Sequence, residues 1–438
     1  MKRNYVFTFL TAILLTFNAS ATTYTSAANG NWMNFMTWSP FGVPIPGDIV
    51  IINHAVAMDT SFAYSTGSIT VNASGSLIQN SPVRDIWLNG VNAAFTNHGT
   101  TTIRYMLLDA GSFANSGTFN VKSFLNNVIM NNSGSINGVD SIYNNNGTIN
   151  NNGTIKVMTF YNNHIMNNYG TIQGVTTVVD SMWNQGTFLN DVGAILKADS
   201  ATNNGNFTNN GTIQYLQFTN YVNGVFINNN SLSFDDMTNM GNYTNNGTLN
   251  GAKSMFNNEV FNNSSTGQIT LGISFLNADT ASWTASFNND GSFDIGDSFY
   301  NFNTITGSST GSFTMQDTSY NSGSMTGAFD FCDATPAPSS PYIDINFGTV
   351  DPLITYCSTT GVYLNEVSNF TIYPNPAKGN VFLGKTNQFV EVYDVLGQQI
   401  LKEYTNQINL SSYNKGIYII VIKDKDGNQL FAEKLIKE

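Results

Sequence analysis

The amino-acid sequence predicts an all-β protein, in which a right-handed parallel β-helix (solenoid) is followed by a small antiparallel β-sandwich. A short phrase of the form Phe-Thr-Asn-Asn-Gly-Thr-Ile recurs through most of the chain, as is typical of repeat architectures. No convincing amphipathic helix lies between its copies, which disfavours folds that alternate strands and helices. After the repeats, alternating apolar and polar runs separated by turn residues predict the sandwich.

Residues 1–21 have the pattern of a secretory signal peptide. Two basic residues precede the apolar run Tyr5–Phe17, and the small residues Ala19–Ala21 follow it. No later segment has the unbroken apolar run of about 20 residues that a membrane helix requires. The sequence therefore predicts a protein exported through the periplasm, secreted or held on the outer cell surface, with no transmembrane segment.

Residues 22–60 are predicted to cap the first coil of the solenoid. Trp32 and Trp38 precede a Pro-rich bend, and Gly47-Asp48 turns into the β-branched run Ile49–Ile52. This block resembles the opening of many secreted bacterial β-helix proteins, which have two tryptophans, a Pro-Gly-Asp turn and a short strand pair.

Residues 61–330 contain the repeats, with a drifting period of about 16 to 25 residues. In the copy at Phe207, alternation puts Phe207 and Asn209 on one face, Gly211 is expected to turn with a positive φ, and Ile213 begins the next inward row. Stacked coils would place Phe on Phe and Asn on Asn, so that buried amides satisfy one another. A weaker second phrase between the copies indicates at least two strands in each coil. The doubled phrase Asn144–Ile155 leaves two interpretations open, a register slip or two corners of one coil.

Residues 331–365 are Pro-rich and contain both cysteines of the chain, Cys332 and Cys357. An exported chain with two cysteines and no thiol motif favours one disulfide between them. We expect this segment to cap the last coil, whose uncovered strand edges would otherwise promote association.

Residues 366–438 predict a small antiparallel, immunoglobulin-like sandwich. Its predicted strands are Val381–Leu383, Phe389–Asp394, Ile400–Tyr404, Gly416–Lys423 and Leu430–Ile436.

This block also resembles the C-terminal sorting domain of the type IX (Por) secretion system of Bacteroidetes-type bacteria. The resemblance is based on a Tyr-Pro-Asn-Pro motif, a Tyr-Asp-Val-Leu-Gly turn, a Lys-Gly-Ile-Tyr strand start and a basic ending. The motif residues are Tyr373, Pro374, Asn375, Pro376, Tyr393, Asp394, Gly397, Gly416 and Tyr418. The resemblance implies export through the type IX translocon, removal of the domain, and release of the protein or its attachment to surface lipopolysaccharide.

The net charge of −12 makes a nucleic-acid partner improbable, because phosphate binding needs a basic surface. No catalytic, cofactor or metal site is predicted. Asp235-Asp236 and His98 resemble elements of polygalacturonases, but their order differs from that family and the Arg-x-Lys motif is missing. Calcium bound by Asp290, Asp294 and Asp297 is a weak alternative, because the loop lacks the usual calcium-binding signatures.

Two sets of exposed side chains are candidates for binding. Trp87, Trp183 and Trp283 could stack on sugar rings, whereas packing in the core or a cap is the ordinary use of tryptophan. Threonines that follow glycine would form a single outward column, suited to ice or a crystalline glycan, although such hydroxyls commonly bond the local backbone. They are Thr100, Thr118, Thr148, Thr154, Thr171, Thr187, Thr212 and Thr248.

The function predicted from the sequence is that of a non-enzymatic, adhesin-like protein that binds a glycan or extracellular matrix. One alternative is a polysaccharide lyase or glycoside hydrolase with a pectin-lyase-like β-helix, which requires acids and bases from several coils to meet in one groove. The candidate groups for such a groove are Arg84, Asp85, Arg104, Asp109 and Lys122. The other alternative is an inert structural spacer.

Overall fold

The repeats form a parallel β-solenoid, as the sequence predicts, with about 14 coils over residues 49–333. This computed structural model describes residues 21–80, 83–175, 179–278, 284–336, 342–357, 372–383, 387–395, 397–423 and 429–438. The chain divides into two compact units, Met1–Ser358 and Thr359–Glu438. Among the described residues the only helical element is the 3-10 helix Phe35–Thr37. The predicted signal peptide lies almost wholly outside these residues and stays a prediction, as does the right-handed sense of the solenoid.

Each coil contains three strands, one more than the minimum expected from the two phrases. In one coil these are Thr159–Asn162, Ile165–Asn168 and Thr171–Gln173. Each pairs in parallel with its counterparts in the coils before and after, so the coils stack into three parallel ladders. We name them ladder C, ladder A and ladder B, in the order in which the chain visits them within this coil.

Some strands are long enough to bend around a corner and join two ladders. Ladder A comprises Thr23–Ser26, Ile49–Ile52, the ends of Phe62–Val71 and Asp85–Asn97, Ser112–Asn115, Ile129–Asn132, Thr148–Asn151, Ile165–Asn168, Thr187–Asn190, Asn206–Asn209, Val225–Asn228, Asn242–Asn245, Val260–Asn263, Ser286–Asn289, Thr304–Gly307, Ser324–Gly327 and Thr349–Val350.

Ladder B comprises Gly30–Asn31, Ala55–Met58, Ser76–Gln79, the starts of Thr100–Leu108, Thr118–Asn126 and Ser135–Asn144, then Thr154–Lys156, Thr171–Gln173, the starts of Ile195–Asn203 and Thr212–Asn220, Ser231–Phe234, Thr248–Gly251, Gln268–Leu271, Ser292–Ile295, Ser312–Met315 and Asp330–Asp333. Ladder C comprises the starts of Phe62–Val71 and Asp85–Asn97, the ends of Thr100–Leu108, Thr118–Asn126 and Ser135–Asn144, then Thr159–Asn162, Val179–Asn184, the ends of Ile195–Asn203 and Thr212–Asn220, Asp236–Asn239, Met255–Asn257, Phe275–Asn277, Phe299–Asn301, Ser319–Asn321 and Ile345–Asn346.

The doubled phrase Asn144–Ile155 spans two corners of one coil. Asn144 ends a ladder C strand, and Asn151 ends the ladder A strand that follows it. The first copy therefore turns the chain from ladder C to ladder A, and the second turns it from ladder A to ladder B. Both corners are built from the same residues because each requires an inward amide at the strand end followed by a close backbone approach.

Like side chains stack in the core, as the alternation predicts. In ladder A, Phe188, Phe207 and Phe226 are buried, and their ring centroids are 4.5 and 4.7 Å apart. The stack continues through Tyr243 and Phe261, whose centroids are 4.6 Å apart. Because every coil contributes the same apolar position, the core is one continuous column of buried side chains.

Two buried asparagine columns run along the solenoid, one at the end of ladder A and one at the end of ladder C. The first extends from Asn97 to Asn289, and the second from Asn126 to Asn321. Asn190 Nδ2, for example, donates to Asn209 Oδ1 at 2.8 Å and to the Thr212 carbonyl oxygen at 3.3 Å. A buried amide without partners is costly, so this repeated pairing is what makes asparagine tolerable inside the corner.

The expected positive φ at Gly211 is wrong, because Gly211 is not among the residues with a left-handed backbone. Its glycine is required for space instead. A Cβ at Gly211 would collide with the carbonyl oxygens of Ala194 and Asp191 in the preceding coil. At this corner, the backbones of neighbouring coils therefore lie too close together to leave room for a side chain.

The two ends of the solenoid contain different local contacts. Near the start, Trp32 and Trp38 are buried with ring centroids 5.0 Å apart, and the Trp38 indole donates to the Trp32 carbonyl oxygen at 2.8 Å. Near the end, Cys332 and Cys357 form the predicted disulfide, with 4.5 Å between their Cα atoms. In both segments, strands assigned from the sequence to caps also pair within the ladders.

The second unit contains two small antiparallel sheets. Gln399–Thr405, Gln388–Asp394, Gly416–Lys423 and Gln429–Lys437 form a four-stranded sheet in that order, and Asn380–Phe382 pairs with Gln407–Asn409. The five predicted strands are confirmed to within a few residues. The short strand Gln407–Asn409 was not predicted.

Candidate functional site

The outer face of ladder C has a row of aromatic and aliphatic side chains that lie in register from coil to coil. We call this set the aromatic row: Trp87, Leu107, Leu125, Tyr143, Tyr161 and Trp183. Trp87, Tyr143 and Trp183 are 41%, 41% and 45% exposed, whereas the residues next to them on each strand are buried in the core. The rings of Tyr143 and Tyr161 stack in parallel with centroids 4.6 Å apart. Large apolar groups thus remain partly exposed to water on this face.

The row is interrupted by small residues immediately after Trp183. The positions in register are occupied by Thr202, Thr219 and Thr238, and the next is Phe256. A cavity of about 390 Å³ opens over the first two threonines. We call it the Trp183 cavity; it is lined by Trp183, Asn184, Gln185, Thr202, Asn204, Thr219 and Tyr221.

Two aromatic side chains from coils that are not adjacent line the Trp183 cavity. Tyr221 lies on the same coil as Thr219, two coils beyond Trp183, and coils at the usual strand spacing of about 4.8 Å put them about 9.6 Å apart along the stack. Both aromatic side chains line the cavity, so each is available to a ring-shaped ligand. The threonine hydroxyls and the amides of Gln185 and Asn204 supply donors and acceptors around that ring.

A second cavity of about 260 Å³ lies on the same face, at the corner where ladder B leads into ladder C. It is lined by Asp199, Ser200, Leu216, Gln217, Asp235, Asp236 and Lys253. Lys253 Nζ lies 3.0 Å from Asp235 and 3.7 Å from Asp236, and hydrogen bonding to Asp235 raises the pKa of Lys253. The predicted acid pair is therefore neutralised in part by one lysine. His98 lies at a different corner, where it contacts Ser116, and is not brought to this pair.

The five groups proposed for an enzyme groove lie at the two edges of the ladder C face. Arg104 binds Asp85 through two hydrogen bonds at one edge, and Lys122 pairs there with Asp140 at 3.4 Å. Asp109 is at the other edge, where it accepts a hydrogen bond from the Trp87 indole at 2.6 Å. Arg84 precedes Asp85 at the first edge. Arg104, Asp85 and Lys122 are thus each paired with a neighbouring group of opposite charge.

The calcium candidates do not form one site. Asp290 and Asp297 lie beyond opposite ends of the strand Ser292–Ile295, and Asp294 lies on that strand. Burial raises the pKa of Asp294. Within the described ranges, no group of three or more His, Cys, Asp or Glu side chains is arranged to hold a metal ion.

The expectation of a single threonine column is wrong. Thr100, Thr118, Thr154, Thr171, Thr212 and Thr248 lie on ladder B, whereas Thr148 and Thr187 lie on ladder A. The same phrase occurs at two corners of the coil, and this divides the set. Trp283, the third tryptophan candidate, lies outside the described residues.

Reasoning from the sequence missed Tyr221, Thr202, Thr219, Gln185 and Asn204. The signal was present, because the residue before each ladder C asparagine is the outward one, as in Trp183-Asn184, Thr202-Asn203 and Thr219-Asn220. Aligning the weaker phrase on its asparagine would have found the interruption in the row.

In the C-terminal unit, the Tyr-Pro-Asn-Pro motif ties the start of the unit to its last strand. Asn375 Nδ2 donates to the Lys434 carbonyl oxygen at 2.7 Å, and its Oδ1 accepts from the Ile436 amide at 3.0 Å. Tyr373 pairs by backbone with Phe382, and Pro374 and Pro376 each follow a cis peptide bond.

The other motif residues form a turn and an anchor. Asp394 accepts a hydrogen bond from the Gln398 amide, and Gly397 has a φ of 81° that favours glycine. Gly416 begins a strand on which Tyr418 is buried, and the Tyr418 hydroxyl donates to the Asn414 carbonyl oxygen at 2.7 Å.

Residues 371–438 match the family model of the secretion system C-terminal sorting domain. The C-terminal unit is a type IX secretion sorting domain. It directs the protein to the cell surface or the extracellular space. Its motif residues hold the domain's own turns and strand ends together, and the match covers none of the solenoid.

No curated protein and no solved structure matches the chain. The function of the solenoid that precedes the sorting domain therefore has to be argued from its own surface. Within the described part of the chain, no helix has the length and apolar character needed to cross a membrane.

Glu391 is a buried carboxylate of the sorting domain. Lys402 and Lys423 each donate to it at 2.8 Å, and the Tyr393 hydroxyl donates at 2.6 Å. These hydrogen bonds, that of Lys402 first, lower the pKa of Glu391 to about 2. The motif tyrosine is thus part of a charged network that joins three neighbouring strands.

Proposed function

We propose that this protein is a non-enzymatic, adhesin-like protein that binds glycans at the cell surface or outside the cell through the Trp183 cavity. The observation on which the proposal rests is that Trp183 and Tyr221 line one cavity together with two threonines and the amides of Gln185 and Asn204. A sugar ring has apolar faces and a rim of hydroxyl groups, so aromatic walls and a polar edge complement both parts.

The size and setting of the cavity support this proposal. Ligand sites commonly have volumes of about 300 to 1,000 Å³, and the cavity falls within this range at about 390 Å³. The site lies on a rigid strand scaffold, so its walls are positioned before a ligand arrives. Export by the sorting domain delivers such a site to the place where extracellular glycans occur.

A glycan array followed by isothermal titration calorimetry tests the proposal on the purified, exported protein. We expect Trp183→Ala and Tyr221→Ala each to weaken binding by about tenfold or more, the equivalent of about 1.4 kcal/mol. Tyr169→Ala is the matched control, because Tyr169 is also exposed and also follows a ladder asparagine, but on ladder A. Absence of binding to any glycan, or equal effects of the three variants, would contradict the proposal.

Cleavage of the bound glycan is a second candidate function, favoured by the carboxylates of Asp235 and Asp236 in the second cavity of the ladder C face. Glycoside hydrolases use two carboxylates, and lyases need a base. Lys253 Nζ lies 3.0 Å from Asp235 and 3.7 Å from Asp236, and this pairing supports the non-enzymatic proposal because a hydrolase would need both carboxylates for the reaction.

An assay for new reducing ends or unsaturated products separates the two functions. We expect no product from a glycan that binds. Turnover that is lost in Asp235→Asn or Asp236→Asn would establish the enzyme instead. A protein that neither binds nor cleaves any glycan would be a spacer.

A further inference from the structure

We propose that the glycan is an uncharged or amine-bearing polysaccharide that lies along the solenoid axis, with its chain on the aromatic row and one sugar unit in the Trp183 cavity. This inference rests on the proposed function and adds the ligand's class, length and direction.

The row and the cavity are one surface. Trp183 is the last member of the aromatic row and also the first wall of the Trp183 cavity. The six members occupy successive coils, so the row is about 24 Å long at a spacing of about 4.8 Å. A disaccharide in the cavity would leave most of this apolar surface in water, whereas a longer chain would cover it.

Polar side chains border the row on both sides at the same spacing. For each row member from Leu125 onward, the side chain two residues earlier carries a hydroxyl group, and the side chain two residues later carries an amide. The hydroxyls belong to Ser123, Ser141, Thr159 and Ser181, and the amides to Asn127, Asn145, Asn163 and Gln185. Asn145 donates to Asn127 at 3.1 Å, and Ser141 donates to Ser123 at 3.2 Å, so each border contains one hydrogen-bonded pair from neighbouring coils.

The side chains across the row match the groups that each sugar unit of a polysaccharide exposes. Each sugar unit has a ring face for an aromatic or aliphatic side chain and hydroxyl groups on both flanks for hydrogen bonds. A ligand that crossed the row would meet this combination only once. A ligand that follows the axis meets it in four successive coils, from Leu125 to Trp183, which fixes the direction of the chain.

Carboxylates on the ladder C face disfavour polyanionic chains. Asp199, Asp235 and Asp236 line the second cavity, and Lys253 is the cation among its lining residues. Uronate or sulfate groups placed there would be repelled, because like charges near a protein surface destabilise binding. Neutral sugars are accepted, and free amino groups are attracted.

The test compares chain lengths and charge. Disaccharides and octasaccharides of glucose, xylose, glucosamine and N-acetylglucosamine are titrated against the exported protein, together with an octagalacturonate. For at least one uncharged or amine-bearing series, we expect the octasaccharide to bind about tenfold or more tightly than the disaccharide. Octagalacturonate is expected to bind more weakly than that octasaccharide.

Variants in the row distinguish this inference from the proposed function. Trp87→Ala combined with Tyr143→Ala should remove the advantage of the octasaccharide and leave disaccharide binding unchanged, whereas Trp183→Ala should weaken both. Tyr169→Ala is the control for loss of an exposed ring elsewhere. Equal affinities for the two lengths, an advantage that survives the double substitution, or preference for octagalacturonate would overturn the inference alone. Absence of binding by every sugar would overturn the proposed function with it.

Discussion

Asparagine is the residue that makes this solenoid possible. Its amide carries both a donor and an acceptor group, so identical residues in successive coils can bond to one another without a different partner. In the described coils the donor-acceptor distances along the two columns lie near 2.8 Å. Serine or threonine would be too short to reach both the next coil and the turn carbonyl from the same position.

Removal of one amide should show how much the column contributes. In Asn209→Ala, Asn190 Nδ2 loses one acceptor and Asn228 Oδ1 loses its donor. Each unsatisfied buried group costs about 1 to 3 kcal/mol, so we expect faster hydrogen exchange in the coils on both sides. Asn210→Ala is the control, because Asn210 makes its hydrogen bond with Asn229 at the exposed surface. Similar exchange in the two variants would refute this account.

Glycine at the corners is required by the close approach of neighbouring coils. A Cβ at Gly153 would collide with the Gly134 carbonyl oxygen, so Gly153→Ala has to displace backbone. We expect a lower urea midpoint of unfolding for this variant. Gly416→Ala should be nearly neutral, because no atom lies within 4 Å of its added Cβ and its φ is not positive. Equal midpoints for the two variants would contradict the steric explanation.

At the scale of elements, the sequence predicted the strands and their inward faces better than it predicted how the strands are arranged in a coil. The alternation around Phe207 and Asn209 identified the inward face, and the structure confirms it. The alternation did not predict the number of strands per coil. It also did not predict that Thr148 and Thr187 lie on ladder A. One phrase serves two corners, and local chemistry does not distinguish them.

The buried carboxylate of Glu391 predicts how the sorting domain depends on pH. Its folded pKa of about 2 lies below the ordinary value of 4.5, so the ionised form stabilises the fold above pH 4.5. This contribution is lost as the pH falls from 4.5 towards 2, because protonation removes the interactions with Lys402 and Lys423.

Hydrogen exchange of Gln388–Asp394 in the full chain measures this effect. Glu391→Gln should exchange faster than the native protein at pH 6, and the difference between the two proteins should disappear towards pH 2. Comparison at each pH cancels the intrinsic pH dependence of exchange. A difference that is constant from pH 6 to pH 2 would contradict the lowered pKa.

At the scale of the whole molecule, a solenoid is held together by contacts between neighbouring coils, so effects should stay local. Cys332 and Cys357 are separated by 25 residues, and a disulfide closing such a loop contributes roughly 3 kcal/mol. In Cys332→Ser combined with Cys357→Ser, we expect faster hydrogen exchange in Asp330–Asp333 and Thr349–Val350. Exchange in Thr148–Asn151 should be unchanged, and loss of protection there would show that the coils unfold together.

The export role of the sorting domain predicts where a truncated protein accumulates. A chain that lacks residues 371–438 should accumulate inside the cell envelope, because the type IX translocon has no domain to recognise. Immunoblots of the periplasm, the cell surface and the medium measure the distribution. Asn209→Ala in the intact chain is a control for an altered solenoid with the domain in place. Delivery of the truncated chain to the medium would contradict the export assignment.

The sequence by itself determined the solenoid, the disulfide between Cys332 and Cys357, and the sorting domain, since each depends on residues that repeat or on a motif along the chain. Only the tertiary structure decided the three-ladder coil and the joining of Trp183 with Tyr221 across two threonines. The physical reason is that side chains about 20 residues apart become neighbours about 4.8 Å apart only when the register between coils is set. That register depends on corner lengths, which vary from coil to coil and have no signature in any single phrase.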